Sequence, residues 1–428
     1  MLFNYALGTA MARHEKGGRA NPKAVLIFGI SINLALLGFY KYSDFFIENI
    51  NALAGTDFSF FRLALPLAIS FFTFQQIAYL FDSYKGETTE YDFLNYCLFV
   101  SFFPQLIAGP IVHHKEMMPQ FARVKNVFFN WKNMAMGVFI FSIGFFKKVV
   151  VADSFAVWAT AGFDGADVLT FFEAWASSLS YTLQLYYDFS GYTDMAIGSA
   201  YMFNIQLPIN FNSPYKAVNI QDFWRRWHIT LSRWLRDYLY IPLGGNRKGP
   251  GRTYINLFLT FLLGGLWHGA GWTFVLWGGM HGAGTALHKW WQDKGMRMPK
   301  WAAWLTTFLF VHFAWVFFRA QSFDDALKVF RGLFGLSGFV LPEGLGAAFG
   351  WLGNYGVEFG EALAGIDGGS TAASMLLLFG LIAVAAKNSL EIGACMRTNK
   401  RHLAFSLVLF TYATFKLTQV SEFLYFNF

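Results

Sequence analysis

Of the 428 residues, 55% are hydrophobic, 20% are aromatic and only 14% are charged, and the formal net charge is +7. A water-soluble chain of this length needs a more charged surface, so the balance excludes an ordinary soluble protein. The positive charge is clustered between apolar stretches, which speaks for membrane topology and against nucleic-acid binding.

In chain order, apolar stretches run over Val25–Tyr40, Leu63–Phe81, Phe93–Val112, Met134–Phe146, Ala174–Tyr187, Tyr254–Leu287, Trp301–Phe318, Ser374–Ala386 and Leu403–Phe415. Several reach the roughly 20 residues that cross a bilayer, and the shorter ones are expected to be extended by flanking residues, buried or re-entrant. No short alternating segments of a membrane β-barrel occur. The expectation is an all-α, polytopic integral membrane protein with one domain over residues 1–428. The opening piece, Met1–Met11, lacks the basic start and small-residue cleavage pattern of a signal peptide. Cys97, in an apolar stretch, and Cys395, in a polar connection, read as an inert thiol and a lone loop thiol.

Asp188-Phe-Ser-Gly-Tyr-Thr-Asp194 is expected to close one apolar segment and open the next. Its carboxylates, Asp188 and Asp194, either orient a base or pair with arginines; alternatively Ser190 caps the following helix. Gln221–Tyr238 follows. Taken as one helix, it stacks Trp224 and His228 on one face at i, i+4, gathers Phe223, Trp227 and Trp234 beside them, and spaces Asp222 to pair with Arg226. An interfacial anchor helix explains the tryptophans and arginines, Arg225 among them. It does not explain an imidazole. Leu243–Arg252 fails the phosphate-loop pattern and reads as a basic turn whose charge would attract a phosphorylated donor.

Tyr254–Leu287 is long enough to enter the membrane and return as a hairpin. Within it, Gly264, Gly265, Gly269 and Gly271 surround Trp267 and His268. Glycines there admit another backbone or a ligand and weaken the helix, so two short helices are expected to meet near the histidine. An imidazole at membrane depth is costly and faces a bundle interior or a wet cavity. His228 and His268 are therefore predicted to approach one another across a polar cavity.

Basic clusters at Arg13–Lys23, Arg225–Arg252, Lys289–Lys300 and Arg397–Arg401 mark cytoplasmic loops. Gly335–Thr371 has no Lys or Arg and carries Glu343, Glu358, Glu361 and Asp367, which places it on the external face. Ser374–Ala386 then returns inward and Leu403–Phe415 goes out, leaving the C-terminus external. The histidine spacing does not suit a metal, no Gly-x-Ser-x-Gly elbow occurs, and neither cysteine has a histidine in a nucleophile pattern. What remains is a neutral imidazole able to take a proton from a hydroxyl that attacks a thioester, and a second imidazole or an arginine to steady the oxyanion.

Four pieces carry a resemblance: Phe103-Pro-Gln-Leu-Ile-Ala-Gly-Pro110; Gln184 to Gly198, which contains Tyr-Tyr-Asp-Phe-Ser-Gly-Tyr-Thr-Asp; Phe223-Trp-Arg-Arg-Trp-His228 with Trp234-Leu-Arg-Asp-Tyr-Leu-Tyr240; and Gly264-Gly-Leu-Trp-His-Gly269. The ending Phe423–Phe428 adds to them. The chain resembles the membrane-bound O-acyltransferase superfamily over nearly its whole length, in particular the bacterial polysaccharide O-acetylase branch. A relative branch, D-alanyl transfer to teichoic acid, shares the histidine pair. The resemblance implies that His268 matches the catalytic histidine and His228 the second functional one. It implies a helical bundle around a transmembrane tunnel in the bacterial inner membrane, with donor from the cytosol and acceptor from outside. The implied donor is acetyl-coenzyme A, with no permanently bound cofactor. The implied partners are membrane lipid, an extracytoplasmic acetyltransferase and an exported polysaccharide such as alginate, with D-alanyl or peptidoglycan acyl transfer as alternatives. Trp267, Trp224, Arg225, Arg226, Asp188 and Asp194 are the supporting or donor-binding candidates. Family members usually carry further hydrophobic segments before the piece resembling Asn4-Tyr-Ala-Leu-Gly8, so the chain starts late relative to them: truncated, misassigned or without those helices. The rivals from other classes are a transporter, which would show inverted repeats, and a non-catalytic scaffold.

Overall fold

The computed structural model describes residues 1–14, 21–88, 92–417 and 424. Helix α1 (Leu2–His14) is followed by α2 (Pro22–Ala54), which Asn21 caps through Lys23 N and which ends at Gly55 in the left-handed region. An extended passage leads to α3 (Ile69–Tyr84), then α4 (Phe93–Ser101) and α5 (His114–Phe121). Helix α6 (Trp131–Phe146) runs through a π-helical turn at Lys147–Ala152 into α7 (Asp153–Thr160), a near-continuous rod over Trp131–Gly165. Helix α8 (Phe171–Met202) lies against it. The short helices α9 (Ile220–Trp224) and α10 (Ile229–Leu235) precede the hairpin of α11 (Gly249–His268) and α12 (Trp272–Asp293). Then come α13 (Lys300–Arg319) and α14 (Phe323–Leu333). A two-stranded parallel sheet, β1 (Phe339–Pro342) with β2 (Val357–Gly360), brackets α15 (Gly346–Phe349). Helices α16 (Gly369–Ala385), α17 (Ser389–Ala394) and α18 (Lys400–Lys416) complete the described chain.

The fold is all-α and polytopic, as expected. Among the described residues Pro22–Ala54, Trp131–Gly165 and Lys300–Arg319 are each long and apolar enough to cross a bilayer. The stretch Phe93–Val112 is different: helix stops at Ser101, because Pro104 and the Gly109-Pro110 pair forbid its continuation, and the rest folds as turns, buried but for Phe103 and Leu106 on the surface and Ile107 at its edge. Asp188–Asp194 does not join two segments. It lies inside α8, unbroken from Phe171 to Met202, so Ser190 caps nothing. Lys16, Arg19 and the chain end, apart from Leu424, fall outside the described residues.

The two faces inferred from charge correspond to two ends of the bundle. Arg319, closing α13, pairs with Asp164, and Phe171, opening α8, stacks on Phe339 at 4.8 Å. The acidic Gly335–Thr371 region thus sits where α13 ends and α8 begins. At the other end, Trp304 near the start of α13 donates to Tyr215 O (2.9 Å), and Lys216 reaches Ala386 O (2.6 Å) beyond α16. Helix α16 therefore returns toward the basic loops, as the sequence predicts.

Candidate functional site

Glycine builds the hairpin. A methyl group on Gly265 or on Gly278 would strike the Cα of the other, so α11 and α12 touch backbone to backbone. Of the two alternatives the sequence left open, Gly265 admits another backbone, and a Cβ at Gly269 would meet the ring of Phe274 rather than a ligand. The predicted break at the histidine is present. Helix α11 ends at His268, and α12 starts at Trp272.

His268 is 6% exposed, with the edges of Trp267, Trp277 and Phe318 around it at 4.9, 5.1 and 5.2 Å between ring centroids. It walls a small cavity of about 60 Å³ with Trp267, Lys41, Ser70 and Phe71. Lys41 also walls an adjoining cavity of about 330 Å³, beside Tyr40, Asp44, Gly269 and Ala270. Trp267 stacks on Phe74 at 4.6 Å, whose other face covers Trp234 at 3.7 Å.

His228 is reached by a different backbone from the one the spacing suggested. The segment Gln221–Tyr238 is not a single helix. Helix α9 ends at Trp224, His228 stands at φ 43° and ψ 53°, and α10 starts after it. Left-handed backbone at a non-glycine residue is strained and collects at functional sites. The break turns Trp224 and His228 apart, leaves Trp227 stacked on Phe223 at 5.7 Å, and sends Trp234 to Phe74. Nor is it an interfacial anchor, since Phe223, Trp224, Trp227, Trp234 and His228 are all buried. Asn210 holds the imidazole. His228 Nδ1 lies 3.1 Å from Asn210 Oδ1, which also accepts from Thr230 N (3.2 Å) and Thr230 Oγ1 (2.8 Å). A carboxamide oxygen only accepts, so Nδ1 carries the proton and Nε2 is the basic nitrogen. Phe71, which walls the His268 cavity, lies against both His228 (6.4 Å) and Trp267 (5.7 Å), whereas His228 itself is not in the wall of that cavity.

The remaining candidates divide. Asp188 binds Lys148 at 2.7 Å and Asp194 binds Lys147 at 2.7 Å, both lysines in the π-helical turn after α6. Among the described residues they neither orient a histidine nor meet an arginine; they tie α8 to the turn that follows α6. Arg226 is held by Asp222 (2.9 Å) and Asn212 O (3.3 Å). Trp224 and Arg225 face a third cavity, of about 750 Å³, at the basic end of the hairpin, with Arg233, Arg236 and Lys289 in its wall. Arg233 is engaged bidentately by Glu116, Arg236 by Asp237 and Lys289 by Asp293. Arg225 has no ion pair or side-chain hydrogen bond among the described residues, which leaves it available to an anion.

Between the two cavity systems stands an aromatic wall. Trp224 contacts Phe261 (5.0 Å), Trp277 (5.9 Å) and His281 (5.1 Å), and its Nε1 donates to His281 Nδ1 at 3.3 Å. Trp277 in turn abuts His268. Sequence reasoning missed His281, although Gly278, Gly279, Gly282 and Gly284 surround it as the other glycines surround His268. It missed Asn210, which carries no sequence signal, and Lys41, a cation deep within the long apolar α2 and far from Lys23 at its start. Among the described residues no cluster of His, Cys, Asp and Glu suited to a metal gathers.

A family model described as MBOAT, membrane-bound O-acyltransferase family, matches residues 87–323. The chain is 52% identical over 370 residues to a peptidoglycan O-acetyltransferase of Helicobacter pylori, covering 80% of this chain and 70% of that protein. It is 41% identical over 349 residues to a probable alginate O-acetylase AlgI of Pseudomonas putida, covering 80% and 71%. A teichoic acid D-alanyltransferase of Bacillus subtilis is 30% identical over 215 residues, covering 47% of this chain and 53% of that protein.

Proposed function

Because the chain belongs to the membrane-bound O-acyltransferase family and is a polytopic membrane O-acyltransferase, we propose that it takes an acetyl group from cytosolic acetyl-coenzyme A and passes it across the bacterial inner membrane. The acetyl group goes on to O-acetylation of an exported polysaccharide, through an extracytoplasmic partner. Peptidoglycan is the first choice of acceptor, favoured by the 52% identity to the Helicobacter pylori protein, and alginate the second, favoured by the 41% identity to the Pseudomonas putida protein.

The observation that carries this reading is the placement of His268 on one cavity system while a roomier, cation-walled cavity opens at the other end of the same hairpin. Arg225 and its neighbours suit the phosphates of a coenzyme A donor. Trp224 lines the route from that cavity toward His268, and Trp267 walls the acyl end. His268 takes the proton of the acceptor hydroxyl as its oxygen attacks the thioester carbonyl. The tetrahedral intermediate collapses, the C–S bond breaks, and the proton passes from His268 to the departing thiolate. His228, its Nδ1 tied to Asn210, presents a basic Nε2 that orients the acceptor by accepting a hydrogen bond from it.

The test is His268→Ala in a protein that still inserts and assembles. Loss of acetyl-coenzyme A-dependent O-acetylation, with donor binding retained, is expected; turnover at the parent rate would exclude the assignment. A severe defect with residual activity is expected for His228→Ala.

A further inference from the structure

The C-terminal end of α11 is not held by its own hairpin partner alone. Lys41 Nζ on α2 donates to Trp267 O at 2.6 Å and to His268 O at 2.9 Å. The next residue, Tyr42, donates its hydroxyl to Leu266 O at 2.7 Å. Two adjacent side chains of one helix thus satisfy three successive carbonyls at the end of another. The last carbonyls of a helix have no partner within it, and a cation beside them also complements the negative end of the helix dipole. His268 is the final residue of α11, where an unheld helix frays. A lysine within a membrane helix is expensive and is kept for a reason. Lys41 walls both cavities on the His268 side, so its ammonium stands next to the space that the acceptor would enter.

We infer that Lys41 is a positioning residue for acyl transfer: by clamping the carbonyls of Trp267 and His268 it fixes the backbone that aims the His268 imidazole, with Tyr42 as its auxiliary. This rests on the assignment of His268 as the base. Helix α2 thereby joins the site, although it contributes no group to the chemistry itself.

The test uses the purified full chain in detergent and has two arms. In the first, diethyl pyrocarbonate modifies accessible imidazoles, and the rate at His268 is followed by peptide mass spectrometry, with buried His312 as control. Lys41→Met is expected to raise the His268 rate at least fivefold and leave His312 unchanged. Lys41→Arg, which can still donate to both carbonyls, is expected to stay within twofold of the parent. In the second arm, turnover of acetyl-coenzyme A by Lys41→Met is expected to fall at least 50-fold in kcat with KM within threefold, and Lys41→Arg is expected to recover to within tenfold of the parent. His268 reactivity and kcat both near the parent values in Lys41→Met would overturn the inference, as would a Lys41→Arg protein no better than Lys41→Met. Should Lys41→Met unfold, with His312 rising too, Tyr42→Phe decides: a two- to threefold rise confined to His268 supports the clamp, and no change rejects it. A parent protein inert toward acetyl-coenzyme A, with the His268 difference intact, would remove the donor assignment and leave the clamp standing.

Discussion

The pair of Lys147 and Asp194 allows a sharp test, because a structural pair and a site-supporting carboxylate respond oppositely to double replacement. The two charges lie 2.7 Å apart, with side chains 13% and 6% exposed. At an effective dielectric constant near 20 their attraction is about 6 kcal/mol, while withdrawing each ion from water costs several kcal/mol. The two terms nearly cancel, so the intact pair contributes little net stability. Breaking it is another matter. Lys147→Met leaves the Asp194 carboxylate buried without its cation, at a cost of about 3–5 kcal/mol. Asp194→Leu likewise strands Lys147, which keeps only neutral side-chain partners among the described residues: Ser190 Oγ (3.4 Å), Ser389 Oγ (3.2 Å) and the Tyr186 ring (5.9 Å to its centre). The double variant Lys147→Met/Asp194→Leu restores an apolar contact between α6 and α8 and is expected within about 1 kcal/mol of the parent. The assay is a double-mutant cycle of unfolding midpoints in detergent, followed by acetyl transfer measured on each protein. A stable double variant that had lost transfer would refute the structural assignment and return Asp194 to the site.

Asn210→Ala removes the acceptor shared by His228 Nδ1 and both donors of Thr230, so transfer is expected to fall at least 30-fold and stability by about 2–4 kcal/mol; wild-type kinetics would show that the His228 tautomer is immaterial. Arg225→Ala is expected to raise KM for acetyl-coenzyme A five- to twentyfold with kcat nearly unchanged, and a kcat effect alone would place Arg225 elsewhere in the cycle. Gly278→Leu is expected to prevent assembly, read as loss of a monodisperse peak in size-exclusion chromatography, since the added side chain must enter the backbone of α11. With Cys97 and Cys395 replaced, a cysteine at Lys248 is expected to react only from the cytosolic side and one at Trp351 only from outside; external labelling at Lys248 would invert the topology.

The sequence made the helical hairpin and its break legible because both depend on local features: an uncharged run of sufficient length and a glycine cluster at the turn. It also disclosed the two ends of the bundle, since charge separates with topology. It misjudged Gln221–Tyr238, where apolar and polar spacing fits a helix but His228 adopts a left-handed backbone fixed by Asn210, eighteen residues away in the chain. Asp188 and Asp194 read as supporting carboxylates, orienting a base or pairing with arginines, because carboxylates in apolar surroundings are rare. Their partners, Lys147 and Lys148, stand on another helix, and no spacing rule links the two. Lys41 was passed over for the same reason, its acceptors lying 226 and 227 residues on.

The aromatic wall of Trp224, Phe261, Trp277 and His281 has a meaning for the whole cell. A bundle with a hollow at each end is an electrical shunt unless something between the hollows excludes water. Protons move readily along hydrated imidazoles, and three of them, His228, His268 and His281, lie in this core. Packed indole and phenyl rings insulate the stack, so an acyl group passed along the proposed route would have to displace a ring rather than share an open pore. The energy stored in the ion gradient across the membrane would thereby be kept separate from the chemistry carried out within it.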